Sequence, residues 1–115
     1  MARVVAFIPD LLFGSNVLGA LRAAGHETVL VSDPDGVERE LPGADALVVD
    51  LTADPATRIE QVSAIRHDRV KTLAFYSHVE QDVRAQAERA GFDLVIPRSR
   101  MAREGAAVLA RLLET

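Results

Sequence analysis

A chain of 115 residues with 49 % apolar and 26 % charged residues has the balance of a globular domain, with room for one core and no second module. Its formal net charge of −4 gives no basic footprint for nucleic acid, and the absence of cysteine excludes disulfides, thiolate metal sites and thiol nucleophiles. No apolar run approaches the roughly 20 residues of a membrane helix, and a strand pattern opens right after Met1-Ala2-Arg3 with no signal-peptide architecture, so a cytoplasmic protein is expected.

Residues 4–8 are an unbroken apolar run, as in a strand buried on both faces. Pro9 stops the ladder and Asp10 follows. A helix is predicted from there to about Ala24, with Val17, Leu18, Leu21 and Ala24 on one stripe. Asp10 or Ser15 is its N-cap, and Gly25 ends it in the left-handed conformation. Residues 28–31 form a second strand, closed by the turn cluster Ser32-Asp33-Pro34-Asp35-Gly36. A short helix around 37–41 ends at Pro42-Gly43.

Residues 46–49 are the third strand. Asp54-Pro55 then reads as the N-cap and first-turn proline of a helix carrying Ile59, Val62 and Ile65. Strand four covers 72–76, and a helix over about 80–90 stacks Val79, Val83, Ala87 and Ala90 before Gly91 ends it. Strand five is 94–96. Ser99 is expected to cap a last helix with Met101, Ala102, Val108, Leu109 and Leu112 inward. This alternation predicts one α/β domain over residues 1–115, a five-stranded parallel sheet between two helical layers. Right-handed crossovers favour the strand order 2-1-3-4-5.

The carboxyl edge of such a sheet is where ligands bind. Asp50 closes the run Ala46-Leu47-Val48-Val49, and Ser77, 27 residues on, closes Leu73-Ala74-Phe75-Tyr76. Asp10 joins them, and Asp33, Asp35 and Asp54 fall on the same edge. Hard carboxylate oxygens suit Mg²⁺ or Ca²⁺, while Asp before Pro or Gly is also ordinary turn and cap chemistry. His78 follows Ser77 and is expected to line a pocket there, but neighbours on a strand end point to opposite sides and make no dyad. His26 and His67 lie toward the amino edge, without a partner at metal-ligand spacing.

The loop from Asp10 to Asn16 lacks GxGxxG, against dinucleotide binding. Its Leu11-Leu12-Phe13 is either the buried first turn of a helix or, if exposed, a contact surface. Arg98, Arg100 and Arg103 cluster where strand five meets the last helix, a solvated helix start or a place for an anionic ligand or acidic partner.

Ala24-Gly25-His26-Glu27 before strand two, Val49-Asp50-Leu51 closing strand three, Ser77 closing strand four and Ala90-Gly91-Phe92-Asp93 before strand five occur in a familiar order. In these the chain resembles the receiver domain of two-component response regulators over essentially its whole length. The resemblance implies a flavodoxin-like α/β/α sandwich. It also implies a phospho-acceptor role for Asp50 and a phosphoryl-oxygen contact for Ser77.

Where receivers carry an acidic pair that holds Mg²⁺, this chain reads Ile8-Pro9-Asp10, and where they carry a lysine at the end of strand five it reads Ile96-Pro97-Arg98. The single lysine, Lys71, begins strand four at the opposite edge. Arg98 brings charge, but its planar fork is not equivalent to a point ammonium. An aspartyl phosphate sets a dianion beside a carboxylate and needs that charge compensated. Strand five, Leu94-Val95-Ile96, also lacks the switch aromatic that receivers often carry.

The expectation is therefore a stand-alone, pseudo-receiver-like module. It acts by protein–protein contact, with a histidine kinase or another regulatory protein as partner, and without catalysis. His78 and Arg98 join Ser77 as candidate phosphate or ligand contacts, and Asp10 with Asp50 as the candidate Mg²⁺ ligands. Two alternatives stand beside it: a working single-domain receiver phosphorylated at Asp50 with Mg²⁺, and a flavodoxin-like small-molecule binder using the Asp10, Asp50, Ser77 and Arg98 edge. Val83, Ala87, Ala106, Ala107 and Leu113 look like surplus apolar surface on the last two helices, and the resemblance implies a weak symmetric homodimer there.

Overall fold

The computed structural model describes residues 1–65, 68–77 and 81–115, so that His67, His78, Val79 and Glu80 lie outside the described residues. Strands and helices alternate as β1 (Arg3–Phe7), α1 (Leu11–Ala23), β2 (Glu27–Val31), α2 (Pro34–Glu40), β3 (Ala46–Asp50), α3 (Pro55–Ser63), β4 (Lys71–Tyr76), α4 (Gln81–Arg89), β5 (Leu94–Pro97) and α5 (Arg98–Leu113). All strand pairs are parallel and the order is β2-β1-β3-β4-β5. The α/β class and the 2-1-3-4-5 order expected from the sequence are both found. No helix among the described residues is long and apolar enough to cross a membrane.

The period-two alternation of a strand sorts the apolar side chains into two layers. Val5, Phe7, Leu47, Val49, Ala74 and Tyr76 face α2, α3 and α4. Val4, Ala6, Ile8, Val48, Leu73 and Phe75 face α1 and α5. A central strand buried on both faces has to be apolar without interruption, which is why residues 4–8 and 46–49 show no polar alternation.

Both glycine stops take the expected form. Gly25 has φ 93°, with His26 N–H bonded to Leu21 O at 3.1 Å and Gly25 N–H to Arg22 O at 3.0 Å. Gly91 has φ 96°, with Phe92 N–H on Ala87 O at 3.2 Å and Gly91 N–H on Glu88 O at 3.1 Å. These paired bonds satisfy the last helical carbonyls, and Phe92 adds its ring to the core.

Several local readings need correction. Ser99 does not cap α5: the N-cap position is Pro97, extended at φ −64° and ψ 149°, and the helix has begun by Arg98. Strand and helix abut without a loop, which carries Ser99 into the first turn. Asp54 occupies its predicted cap position but in the left-handed region at φ 48° and ψ 52°, and among the described residues its carboxylate takes no capping bond. Side-chain capping needs an extended N-cap backbone. Ala24, Ala90 and Ala102 are exposed rather than inward. Gly105 takes the inward place on α5, with Met101, Val108, Leu109 and Leu112.

Val83 and Ala87 are buried at 4 % and 0 % exposure, so they belong to the core under α4. Ala106 and Leu113 are half-buried against the opposite cluster. Of the five residues on which the homodimer expectation rested, Ala107 alone is exposed.

Candidate functional site

The strand registers bring four candidate residues to one edge. Phe7 pairs with Val49, Asp50 with Phe75 and Tyr76 with Pro97, so the ends of β1, β3, β4 and β5 lie side by side. Asp10, Asp50, Ser77 and Arg98 sit at those ends. Alternation puts Asp50 on the side of Val48, toward α1 and α5, and puts Ser77 on the same side as Phe75.

Asp50 is only 5 % exposed. Its Oδ1 accepts from the Thr52 backbone N–H at 2.8 Å and from the Thr52 hydroxyl at 2.6 Å. A buried carboxylate needs such donors, and Thr52 supplies two from a single residue. No sequence motif points to Thr52; its spacing of two from a strand-end acid is the only available signal.

Asp10 is the N-cap of α1, its Oδ1 accepting from Phe13 N–H at 3.1 Å. Of the two sequence candidates for that cap, Asp10 is the one that serves. Its Oδ2 lies 3.8 Å from Arg98 Nη2. The Arg98 guanidinium also stacks on the Phe13 ring at 4.1 Å, and that ring packs on Phe75 at 5.1 Å. Arg98 therefore does fold back over the carboxyl edge. It is held there by an aromatic face and a carboxylate, while Lys71 pairs with Ala46 at the amino edge.

Ser77 and Arg98 meet in a shallow cleft of about 230 Å³, lined among the described residues also by Phe13, Ser99 and Ala102. Asp50 is a strand neighbour of this cleft without lining it. His78 lies outside the described residues. Of the other acids on the edge, Asp33 caps α2 through Gly36 N–H at 2.7 Å, and Asp35 lies in the first turn of the same helix. A second stack escaped sequence reasoning: Arg58 of α3 lies 4.4 Å over the ring of Phe7, on the other side of the sheet.

Mg²⁺ prefers an octahedral shell built from free carboxylate oxygens and water. Here one Asp10 oxygen serves a helix cap, the other faces a guanidinium, and one Asp50 oxygen holds two Thr52 hydrogens. Among the described residues no group of three or more Asp, Glu or His side chains is placed to hold a metal ion. To be held by Asp10 and Asp50, Mg²⁺ would have to compete with Arg98 for the first and with Thr52 for the second.

Solved structures that match this architecture include response regulators and receiver domains. A response regulator from Thermotoga maritima superposes with a TM-score of 0.83 at 15 % identity, over 100 % of this chain and 99 % of that one. The fold is that of a receiver domain. The receiver domain of a sensor histidine kinase from Pseudomonas aeruginosa PAO1, with magnesium coordinated in its active-site cleft, matches at TM-score 0.79 and 18 % identity, over 99 % of this chain and 98 % of that one. An atypical orphan response regulator, described as having a phosphorylation-independent regulatory mechanism, matches at TM-score 0.78 and 15 % identity, over 97 % of this chain and 95 % of that one. No family model and no curated protein matches the sequence. The likeness is one of receiver fold, and the site must be judged on its own residues.

Proposed function

We propose that residues 1–115 form one receiver-like signalling module that acts by protein–protein contact and has an impaired phospho-acceptor site at Asp50. The observation that carries this reading is the position of Arg98. Its guanidinium rests on Phe13 and Asp10, whereas an aspartyl phosphate requires a mobile cation over the strand-three acid and a metal beside it. The histidine-kinase receiver with magnesium coordinated in its active-site cleft supports reading the carboxyl edge as the place where this fold can hold a metal. The orphan regulator described as phosphorylation-independent supports a module that works without that chemistry. Such a module is not an enzyme, and its partner is a regulatory protein such as a histidine kinase.

Among the described residues, the carboxyl edge offers a small molecule little room. The cleft of about 230 Å³ at Ser77 and Arg98 falls below the roughly 300–1,000 Å³ of ordinary ligand pockets. The working-receiver alternative is decided by incubation with acetyl phosphate and Mg²⁺, followed by intact mass spectrometry. The protein is expected to stay unmodified. A phosphoryl adduct that disappears in Asp50→Asn sinks the impaired-site reading and establishes a working receiver.

A further inference from the structure

Strand β2 ends the sheet: it pairs with β1 on one side and with no described strand on the other. Glu27 N–H donates to Ala2 O at 2.8 Å, and Val31 O accepts from Ile8 N–H at 3.2 Å. Alternate residues of a parallel ladder face the same neighbour. Glu27, Val29 and Val31 are therefore turned to β1, while Thr28 and Leu30 turn their N–H and C=O outward.

An edge of this kind is a template for another strand, and folds blunt it with proline, lysine, bulges or short length. The opposite edge, β5, has four residues and ends in Pro97. Strand β2 uses none of these devices. Its register against β1 runs unbroken from Glu27 to Val31, and it holds neither proline nor lysine. Its one charged residue, Glu27, is paired with Arg3 at 2.9 Å, which leaves Thr28-Val29-Leu30-Val31 uncharged. Val29 and Leu30 are only half-buried.

One group on this edge is taken. Arg22, in the last turn of α1, reaches over it, and its Nη2 donates to Thr28 O at 3.0 Å. Arg22 is exposed and has no ion pair among the described residues, so its guanidinium is committed to that carbonyl. A hydrogen bond from an ionised donor is stronger than a neutral one. Thr28 N–H and both main-chain groups of Leu30 have no partner among the described residues.

We propose that Arg22 is an edge guard, which keeps β2 closed to β2 of a second copy of this chain. The occupant is a second copy because the uncharged stretch is complementary to itself. About a two-fold axis, Thr28 stands opposite Leu30 of the copy and exchanges both bonds of an antiparallel pair with it. Val29 then meets its own equivalent, and Glu27 falls opposite Val31 of the copy, so no like charges face each other along the strands. That exchange needs Thr28 C=O, the group that Arg22 holds. It also brings the two Arg22 guanidinium groups to one short seam. The guard thus acts twice, by occupying an acceptor and by like-charge repulsion. It does not depend on the state of Asp50.

The test combines sedimentation velocity over a concentration series with amide hydrogen exchange read residue by residue. In the native sequence the amides of Thr28 and Leu30 are expected to exchange faster than that of Val29, at every concentration. Arg22→Ala is expected to tighten self-association by about tenfold or more, and to slow exchange at Thr28 and Leu30 as concentration rises. Arg22→Lys keeps a charged donor and should return most of the native behaviour. Arg111→Ala removes an arginine from α5 and should behave as the native chain. Arg22→Gln, too short to reach Thr28 O from the same place, carries the same expectations should Arg22→Ala melt early. The proposal is overturned if the variant lacking the guard, with its melting curve intact, associates no more than the native chain. It is equally overturned if that association leaves exchange at Thr28 and Leu30 unchanged, or if the native chain already protects both amides as concentration rises.

Discussion

Arg98 and Asp10 are joined across 88 positions of sequence, Nη2 to Oδ2 at 3.8 Å, at the edge where the receiver fold concentrates its chemistry. The pair is half exposed on both sides, so its Coulombic contribution is small. The stronger hold on Arg98 is the Phe13 ring 4.1 Å below it. The arginine is thus an internal counter-ion fixed in place, in contrast to a flexible lysine free to follow a phosphoryl group.

Removing that hold should have a measurable cost. Arg98→Ala is expected to lower the unfolding free energy by about 1 kcal/mol, mostly from the lost stacking on Phe13. Arg98→Lys should recover only part of it, because an ammonium keeps the charge near Asp10 and loses the planar contact. Urea denaturation checks both variants, and an unchanged midpoint in Arg98→Ala would show that the stack is not populated in solution.

Thr72 and Asp93 clamp the amino ends of β4 and β5. The Thr72 hydroxyl donates to Asp93 Oδ2 at 3.2 Å and accepts from Asp93 N–H at 3.0 Å, while Thr72 N–H donates to the same carboxylate at 2.8 Å. Thr72 is 2 % exposed, so Thr72→Val strands a backbone donor and should cost about 1–3 kcal/mol. Asp93→Ala removes two of the same bonds. The double variant should therefore lose clearly less than the sum of the two, and full additivity in a double-mutant cycle would mean that the clamp does not act as one unit.

The sheet was legible in the sequence because its central strands are buried on both faces and so must be continuously apolar. The stops at Gly25 and Gly91 were legible because positive φ selects glycine there. Much of the edge was not. The Asp10–Arg98 and Arg98–Phe13 contacts join residues on different elements, which no local pattern reports. Val83 and Ala87 read as surface surplus because periodicity finds a helix face without saying what lies beneath it, and in the fold β5 and Phe92 are there. The sequence left Leu11-Leu12-Phe13 open between a buried first turn and a contact surface; the helix begins at Leu11, so Phe13 reaches the core while Leu11 and Leu12 stay exposed.

Two helical glycines should respond to alanine with opposite signs. At Gly19 in α1 a new Cβ meets nothing within 4 Å, so Gly19→Ala should stabilise by roughly 0.8–1.0 kcal/mol through helix propensity alone. At Gly36 in α2 it would stand 2.9 Å from Val31 Cβ, an atom fixed by the sheet. Overpacking of that kind costs about 1–3 kcal/mol and reverses the sign. Melting temperatures of the two variants, measured together, test the assignment. Stabilisation in both would mean that α2 is free to shift away from β2.

The last prediction concerns Mg²⁺. An ion bound at 100 times its Kd would stabilise the native state by about 2.7 kcal/mol, an effect that no melting experiment would miss. To bind here, it would have to draw Asp10 Oδ2 away from Arg98 and compete with Thr52 for Asp50 Oδ1. Both losses fall on residues that already satisfy one another, and Pro9 offers no further carboxylate in return. Magnesium chloride should therefore move the melting temperature no more than sodium chloride of equal ionic strength, which controls for screening. Asp10→Asn should give the same pair of curves, displaced only by the loss of negative charge beside Arg98 and the start of α1. A magnesium-specific rise in the native sequence that vanishes in both Asp10→Asn and Asp50→Asn would mean that the two carboxylates release their present partners for a metal, and the case for an impaired site would fail with it.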